Sequence, residues 1–234
     1  MLWDKERHVP LQKKTWDEIL VRDTVSDIFE KTIEAYNPDL LWPTAADEDA
    51  NITCNKTLYN GALGTLWSLN EISLHLNRPL KNEGLDKHAL IEIIYQKYMT
   101  EPDTLEIVPS YCVGETGILL HRYQLNVEEA TAQRLFDVIE SNIKNETLEM
   151  LWGSSGTMLA ASFMFEWTKQ EKWKQLFLSN VDYLIESLKK FISKGERIWT
   201  QDLYREKNKV YRCGSWIFRQ HVCHLKRNRL DDRE

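Results

Sequence analysis

The sequence LYNGALGTLWSL, residues 58–69, places two glycines three residues apart at the start of an apolar stretch with helical spacing. The same arrangement recurs in YCVGETGILLHRY, residues 111–123, and in LWGSSGTMLAASFMFEWT, residues 151–168. A glycine at the entry to a helix lets the chain turn sharply and lets another backbone approach closely. We therefore predict an internal repeat with one motif per helical hairpin. Six glycines have this predicted structural role: Gly61, Gly64, Gly114, Gly117, Gly153 and Gly156.

Helices are predicted for most of the chain, because apolar residues recur at three- and four-residue steps. Thr15 with Glu18, and Asn126 with Glu129, have the spacing of capping boxes, so we expect a helix to begin at each pair. The fold class is all-α, with one short extended piece at 198–203. The predicted helical stretches are about 15–37, 63–78, 90–101, 117–125, 126–143, 156–167 and 173–195.

Composition and charge narrow the class of protein. The chain has 234 residues, 42% hydrophobic and 28% charged, which is typical of a folded globular protein. Its formal net charge of -6 offers little attraction to phosphate backbones, so we expect no nucleic-acid partner. The sequence has neither a run of roughly 18 apolar residues nor a secretory signal, and its four cysteines suggest no disulfide framework. We therefore expect a cytoplasmic protein without a membrane span.

The three glycine motifs, with DLLWPTAADEDA at 39–50 before them and IWTQDLY at 198–204 after them, resemble the N-terminal half of the lanthionine synthetase C-like family. The resemblance covers roughly residues 37–204, and three ordered motifs are more specific than one. It implies an (α/α) toroid-type fold of helical hairpins, here an incomplete arc of about three hairpins with the glycine loops gathered at its concave end. In this family, zinc activates a cysteine thiol for addition to dehydrated serine or threonine in a precursor peptide. The resemblance therefore implies a precursor peptide as partner.

The resemblance also implies motifs that are not readable in this chain. In the family the next repeat reads close to Gly-Ala-Gly-His-Gly, and later repeats supply a cysteine and a Cys-His pair that bind zinc. Residues 205–234 contain six arginines, as many as the preceding 204 residues, and 212–221 can spell the glycine-histidine motif in a reading frame shifted by one base. We expect residues 1–211 to be the N-terminal part of a truncated toroid and 212–234 to be a disordered or frameshifted tail. Without the zinc-ligand repeats, the chain is expected to bind no zinc and to be inactive.

One group of side chains in the tail has the atoms that zinc prefers, namely Cys213, His221, Cys223 and His224. Their spacing lacks the paired Cys-x2-Cys units of common structural sites, and a shifted reading frame explains all four. We therefore predict no metal-ligating residue, and we assign no catalytic or cofactor-binding residue.

Four other residues have both a functional and a structural interpretation. Glu115 in the second motif and His121 in the helix behind it are candidate acid-base groups at the toroid centre. The alternative is a first-turn carboxylate favoured by the helix dipole and a surface or packing histidine. Tyr59 and Trp152, beside their glycines, are candidates for stacking on a ligand, with packing against the neighbouring hairpin as the alternative. We favour the structural interpretation for all four.

Two functions from different classes remain open. The first is a lanthionine synthetase C-like cyclase fragment, and the second is a helical-repeat binding module without chemistry. A six-hairpin glycosidase is a more distant third, because it needs two carboxylates that face each other and the sequence indicates no such pair. An open arc is also expected to leave the inner-helix residues Leu159, Phe163 and Trp167 uncovered.

Overall fold

A computed structural model describes residues 13–43, 54–104 and 106–190, together with short backbone segments between 192 and 210. The described helices confirm the predicted all-α class up to residue 190. A 3-10 helix at Leu80–Glu83 precedes the third α-helix. The α-helices are α1 (Glu18–Glu34), α2 (Ala62–Leu76), α3 (Lys87–Thr100), α4 (Glu115–Leu125), α5 (Glu129–Asn142), α6 (Ser154–Thr168) and α7 (Glu171–Lys190).

Two short antiparallel strand pairs follow α7. The first pair joins β1 (Ile192–Ser193) to β2 (Glu196–Arg197), and the second joins β3 (Trp199–Leu203) to β4 (Glu206–Val210). The extended piece predicted at 198–203 corresponds to β3, but the other three strands were not predicted. The last predicted helix is also too long towards Gly195, because backbone hydrogen bonding has changed to strand pairing by β1.

Both predicted capping boxes are wrong. The cap of α1 is Asp17 and not Thr15, because the Asp17 carboxylate accepts a hydrogen bond from the Leu20 N–H at 3.0 Å. Asn126 ends α4 and does not begin α5, which is preceded by Glu128. The Asn126 side chain instead donates to the backbone oxygen of His88 on α3, so a contact between helices takes the place of a cap.

Each α-helix contacts the next one along the chain, and α4 also contacts α6 while α5 contacts α7. Two hydrophobic clusters result. One joins α1, α2 and α3, with Phe29 and Ile91 fully buried, and the other joins the helices from α4 to α7. In the second cluster the buried Trp173 ring of α7 meets Phe136 of α5 edge-on, with ring centroids 5.5 Å apart. The cores therefore arise between helices, as amphipathic periodicity requires.

The exposed apolar residues differ from the expected pattern. Leu159 on α6 is only 8% exposed, so the prediction that it lies uncovered is wrong. Trp167 is 41% exposed and stacks against Phe163, with ring centroids 6.0 Å apart. At the start of α1, the apolar residues Trp16 and Ile19 are more than 70% exposed, although periodicity favoured burial. Within the described helices, none has the length and apolar character needed to cross a membrane.

Candidate functional site

The three glycine motifs share one local geometry. The first glycine of each pair directly precedes α2, α4 or α6 in extended backbone. At the second glycine, Gly64, Gly117 or Gly156, an added Cβ would lie within 3.0 Å of the carbonyl oxygen six residues earlier. Real Cβ atoms essentially never come this close to a heavy atom, so the loop can fold back over the helix start only where the side chain is a hydrogen.

The three motif loops are also neighbours in space. Tyr59 in the first loop donates its backbone N–H to the carbonyl oxygen of Cys112 in the second, at 2.9 Å. A Cβ built on Gly117 would contact the Leu58 side chain at 3.5 Å, and one on Gly156 would meet the Tyr111 side chain at 3.1 Å. Equivalent residues of successive motifs therefore make equivalent contacts, from the first motif to the second and from the second to the third.

Polar side chains hold each loop in place. Ser110 and Glu149, each seven residues before the second glycine of its motif, accept backbone N–H groups of their own loops. In the first motif this position is Thr57, and the loop is held from outside: Asp103, which follows α3, accepts the N–H groups of Lys56 and Thr57 at 2.8 and 2.9 Å. The recurring polar residue was a sequence signal that our interpretation missed.

Asp103 also forms an ion pair with a lysine that is almost completely buried. The Nζ atom of Lys56 lies 3.5 Å from the Asp103 carboxylate, and the two side chains are 5% and 6% exposed. A buried carboxylate that accepts two backbone N–H groups and faces an ammonium group is compensated for its loss of water. This pair therefore fixes the first glycine loop to the end of α3.

Glu115 lies in the first turn of α4, as the structural interpretation predicted, but the sequence did not indicate its partners. The carboxylate is 1% exposed and forms two hydrogen bonds with Arg134 of α5, at 2.9 and 2.8 Å. Tyr95 of α3 donates its hydroxyl to the same carboxylate at 3.2 Å. Both carboxylate oxygens accept hydrogen bonds, so Glu115 joins α3, α4 and α5. It is buried and does not face solvent as an acid-base group would.

His121 lies on α4, beside residues of α2 and α3. It lines a small cavity of about 20 Å³ together with Trp67 and Lys87, and its Nδ1 atom is 3.2 Å from the side-chain oxygen of Gln124. Burial lowers the pKa of His121, while the Gln124 contact and the charge of Glu71 oppose this effect. Folding therefore favours the neutral imidazole over the charged form.

A pH dependence of stability follows from this shift. Because the folded-state pKa of His121 is below its unfolded value of about 6.5, the unfolded protein binds a proton more readily, and stability falls as the pH drops below that value. We expect His121→Gln to reduce this loss, measured by urea unfolding at pH 7.5 and pH 5. His75→Gln, on the exposed side of α2, is the matched control. If the pH dependence of stability is unchanged in His121→Gln, His121 is not the group that causes it.

The two motif aromatics have different environments. Trp152 is half-buried and packs against the second hydrophobic cluster, in agreement with a structural role. The Tyr59 side chain is 68% exposed, so the prediction that it packs against the neighbouring hairpin is wrong. Its backbone N–H is bonded to the carbonyl oxygen of Cys112, so Tyr59 contacts the second motif through its backbone.

The cysteines of the described residues, Cys54 and Cys112, are buried free thiols. Burial raises the pKa of Cys112 to about 11, which keeps the thiol protonated and unreactive at neutral pH. Within the described part of the chain, no group of three or more His, Cys, Asp or Glu is placed to hold a metal ion. The predicted tail and its Cys213, His221, Cys223 and His224 lie outside the described residues.

Comparisons with family models, with curated proteins and with solved structures found no match for this chain.

Proposed function

We propose that this chain is a lanthionine synthetase C-like protein in which the described helices form about three hairpins of an α/α toroid-type arc. The pairs are α2 with α3, α4 with α5, and α6 with α7, and each pair is in contact. The observation that carries the proposal is the shared geometry of the glycine motifs. Each motif lies at the start of the first helix of a pair, and its loop packs closely on that helix because the second glycine has no Cβ. Each motif also contacts the next motif along the chain.

We further propose that this chain is an inactive fragment of such a protein, without cyclase activity. Zinc catalysis of thiol addition needs three protein ligands and an open position for the substrate. In the family these ligands come from motifs that the sequence does not contain in readable form. Cys54 and Cys112 do not replace them, because they are buried and burial raises the pKa of both thiols.

Metal content tests the absence of chemistry. We expect the protein, purified without a histidine tag, to contain less than about 0.1 equivalent of zinc and to leave a dehydrated precursor peptide unchanged, since a catalytic zinc site needs three ligands. Zinc is measured by atomic emission, and cyclisation by the loss of free thiol in the peptide.

Two results would contradict the proposal in different ways. One zinc per chain that is lost in Cys213→Ser or Cys223→Ser would establish a metal site in the tail. The coding DNA provides a control that is independent of the protein, because the frame shifted by one base after codon 211 should encode Gly-Ala-Gly-His-Gly. If it does not, the family assignment loses its explanation for the missing motif.

A helical-repeat binding module is the second candidate function. One observation favours it, namely an open, partly apolar groove of 380 Å³ between the end of α2 and the start of α3. A binding role needs such a groove and does not need a metal. The zinc measurement gives the same result for both functions, so binding has to be tested separately.

A further inference from the structure

The groove is formed by the C-terminal half of α2, the 3-10 helix and the first turn of α3, and we call it the α2–α3 groove. Leu80 and Leu85 line it and are each 4% exposed, so their apolar side chains form its floor. Leu74 lies at the side of the groove and is 63% exposed. Together, the exposed leucine and the apolar floor form a surface that can bury an apolar side chain of a partner.

The α2–α3 groove shares two lining residues with the small cavity beside His121. Asn70 and Lys87 line both, and the Nζ atom of Lys87 donates to the side-chain oxygen of Asn70 at 2.8 Å. This bond fixes the direction of the lysine on α3 relative to α2. The ammonium group of Lys87 therefore lies at the groove, next to α2.

Charge at the groove is opposite to that of the whole chain. Lys81 and Lys87 line it, and the single carboxylate among its lining residues is Asp86. That carboxylate already accepts the backbone N–H groups of His88 and Ala89, at 3.0 and 3.4 Å, as the cap of α3. Two ammonium groups thus lie beside an apolar surface in a protein whose formal net charge is -6.

We propose that the α2–α3 groove binds a linear peptide segment that carries an apolar side chain next to carboxylates. The apolar side chain packs on Leu74 and the floor, and the carboxylates meet Lys81 and Lys87. Charge complementarity selects an acidic partner, and the apolar walls select a peptide over an inorganic anion. This inference rests on the binding-module function and is independent of the family resemblance.

Fluorescence anisotropy tests the proposal with a fluorescein-labelled peptide, Gly-Leu-Phe-Asp-Glu-Gly, and with an analogue that carries Asn and Gln in place of the acids. We expect the acidic peptide to bind about tenfold more tightly, with an affinity that falls as salt rises. Inorganic phosphate at millimolar concentration should not displace it. Equal binding of the two peptides, displacement by phosphate or no binding at all would each overturn the proposal.

Two variants locate the binding. Leu74→Gln removes the exposed apolar contact and Lys81→Glu reverses a charge, and each is expected to weaken the acidic peptide about fivefold or more. Both residues are exposed, so the fold should persist, and circular dichroism checks this. Ile19→Gln on α1 and Lys144→Glu after α5 are matched exposed controls, expected to stay within about twofold of the unchanged protein.

Equal weakening in the variants and in their controls would place the peptide elsewhere and would overturn the proposal. This outcome is separate from failure of the family assignment. One zinc per chain would contradict the proposed absence of chemistry, and a shifted reading frame that does not encode Gly-Ala-Gly-His-Gly would count against the family assignment. Neither result would alter the peptide result.

Discussion

Gly156→Ala is expected to lower the free energy of unfolding by about 3 kcal/mol, at the upper end of the cost of overpacking a folded structure. The new Cβ would lie within 3.0 Å of the Met150 carbonyl oxygen and 3.1 Å from the Tyr111 side chain. A backbone carbonyl cannot move aside without shifting the motif loop, and Tyr111 belongs to the neighbouring motif. Urea unfolding followed by circular dichroism measures the loss.

Gly84→Ala is the matched control for this prediction. Gly84 has φ +83°, but a Cβ at this position would meet nothing within 4 Å. Its substitution therefore costs only the strain of a left-handed conformation, about 1 kcal/mol. If Gly156→Ala is no more destabilising than Gly84→Ala, the second glycine of the motif is not required for the close approach of the loop backbone.

Arg134→Met is expected to destabilise the protein by about 2 kcal/mol, because it leaves the buried Glu115 carboxylate without its cation. Loss of one partner from a fully buried ion pair costs 3–5 kcal/mol, and we reduce that figure to about 2 because the Arg134 side chain is 49% exposed and partly hydrated. Glu115→Gln should cost less, because a neutral amide needs less compensation in a buried site. Chemical unfolding of each variant at pH 7 gives these values.

The double variant Glu115→Gln with Arg134→Met completes a thermodynamic cycle. We expect a coupling free energy of about 1 kcal/mol or more, since the two groups share two hydrogen bonds. The exposed pair of Lys31 and Asp27 on α1 serves as control, and Lys31→Met should have little effect. Additive effects of Glu115→Gln and Arg134→Met would show that the ion pair does not join α4 to α5.

Much of the helical structure could be predicted from local sequence. The apolar period and the prolines placed α2 and α3 correctly, because periodicity and backbone blocking act over a few residues. The residues that cap the helices were less predictable. The side chain of Asn126 is suited both to a helix start and to a contact with α3, and only the position of α3 decides between the two.

The candidate site divides in the same way. The six motif glycines were recognisable, because a repeated residue type reports a repeated backbone requirement. The polar residues that hold the loops, Ser110 and Glu149, are less easily recognised in the sequence, since the residue type differs between motifs. Asp103 left no readable signal, because it holds the first loop from 46 and 47 residues away along the chain.

By itself, the sequence determined the helical class and the three glycine motifs, since local backbone sterics and apolar spacing are encoded in neighbouring residues. Tertiary structure alone decided that Glu115 pairs with Arg134, that Tyr59 is exposed and that Lys81 and Lys87 meet at one groove. These features depend on the distance between separate helices. That distance is set by packing of the whole core, which no local pattern specifies.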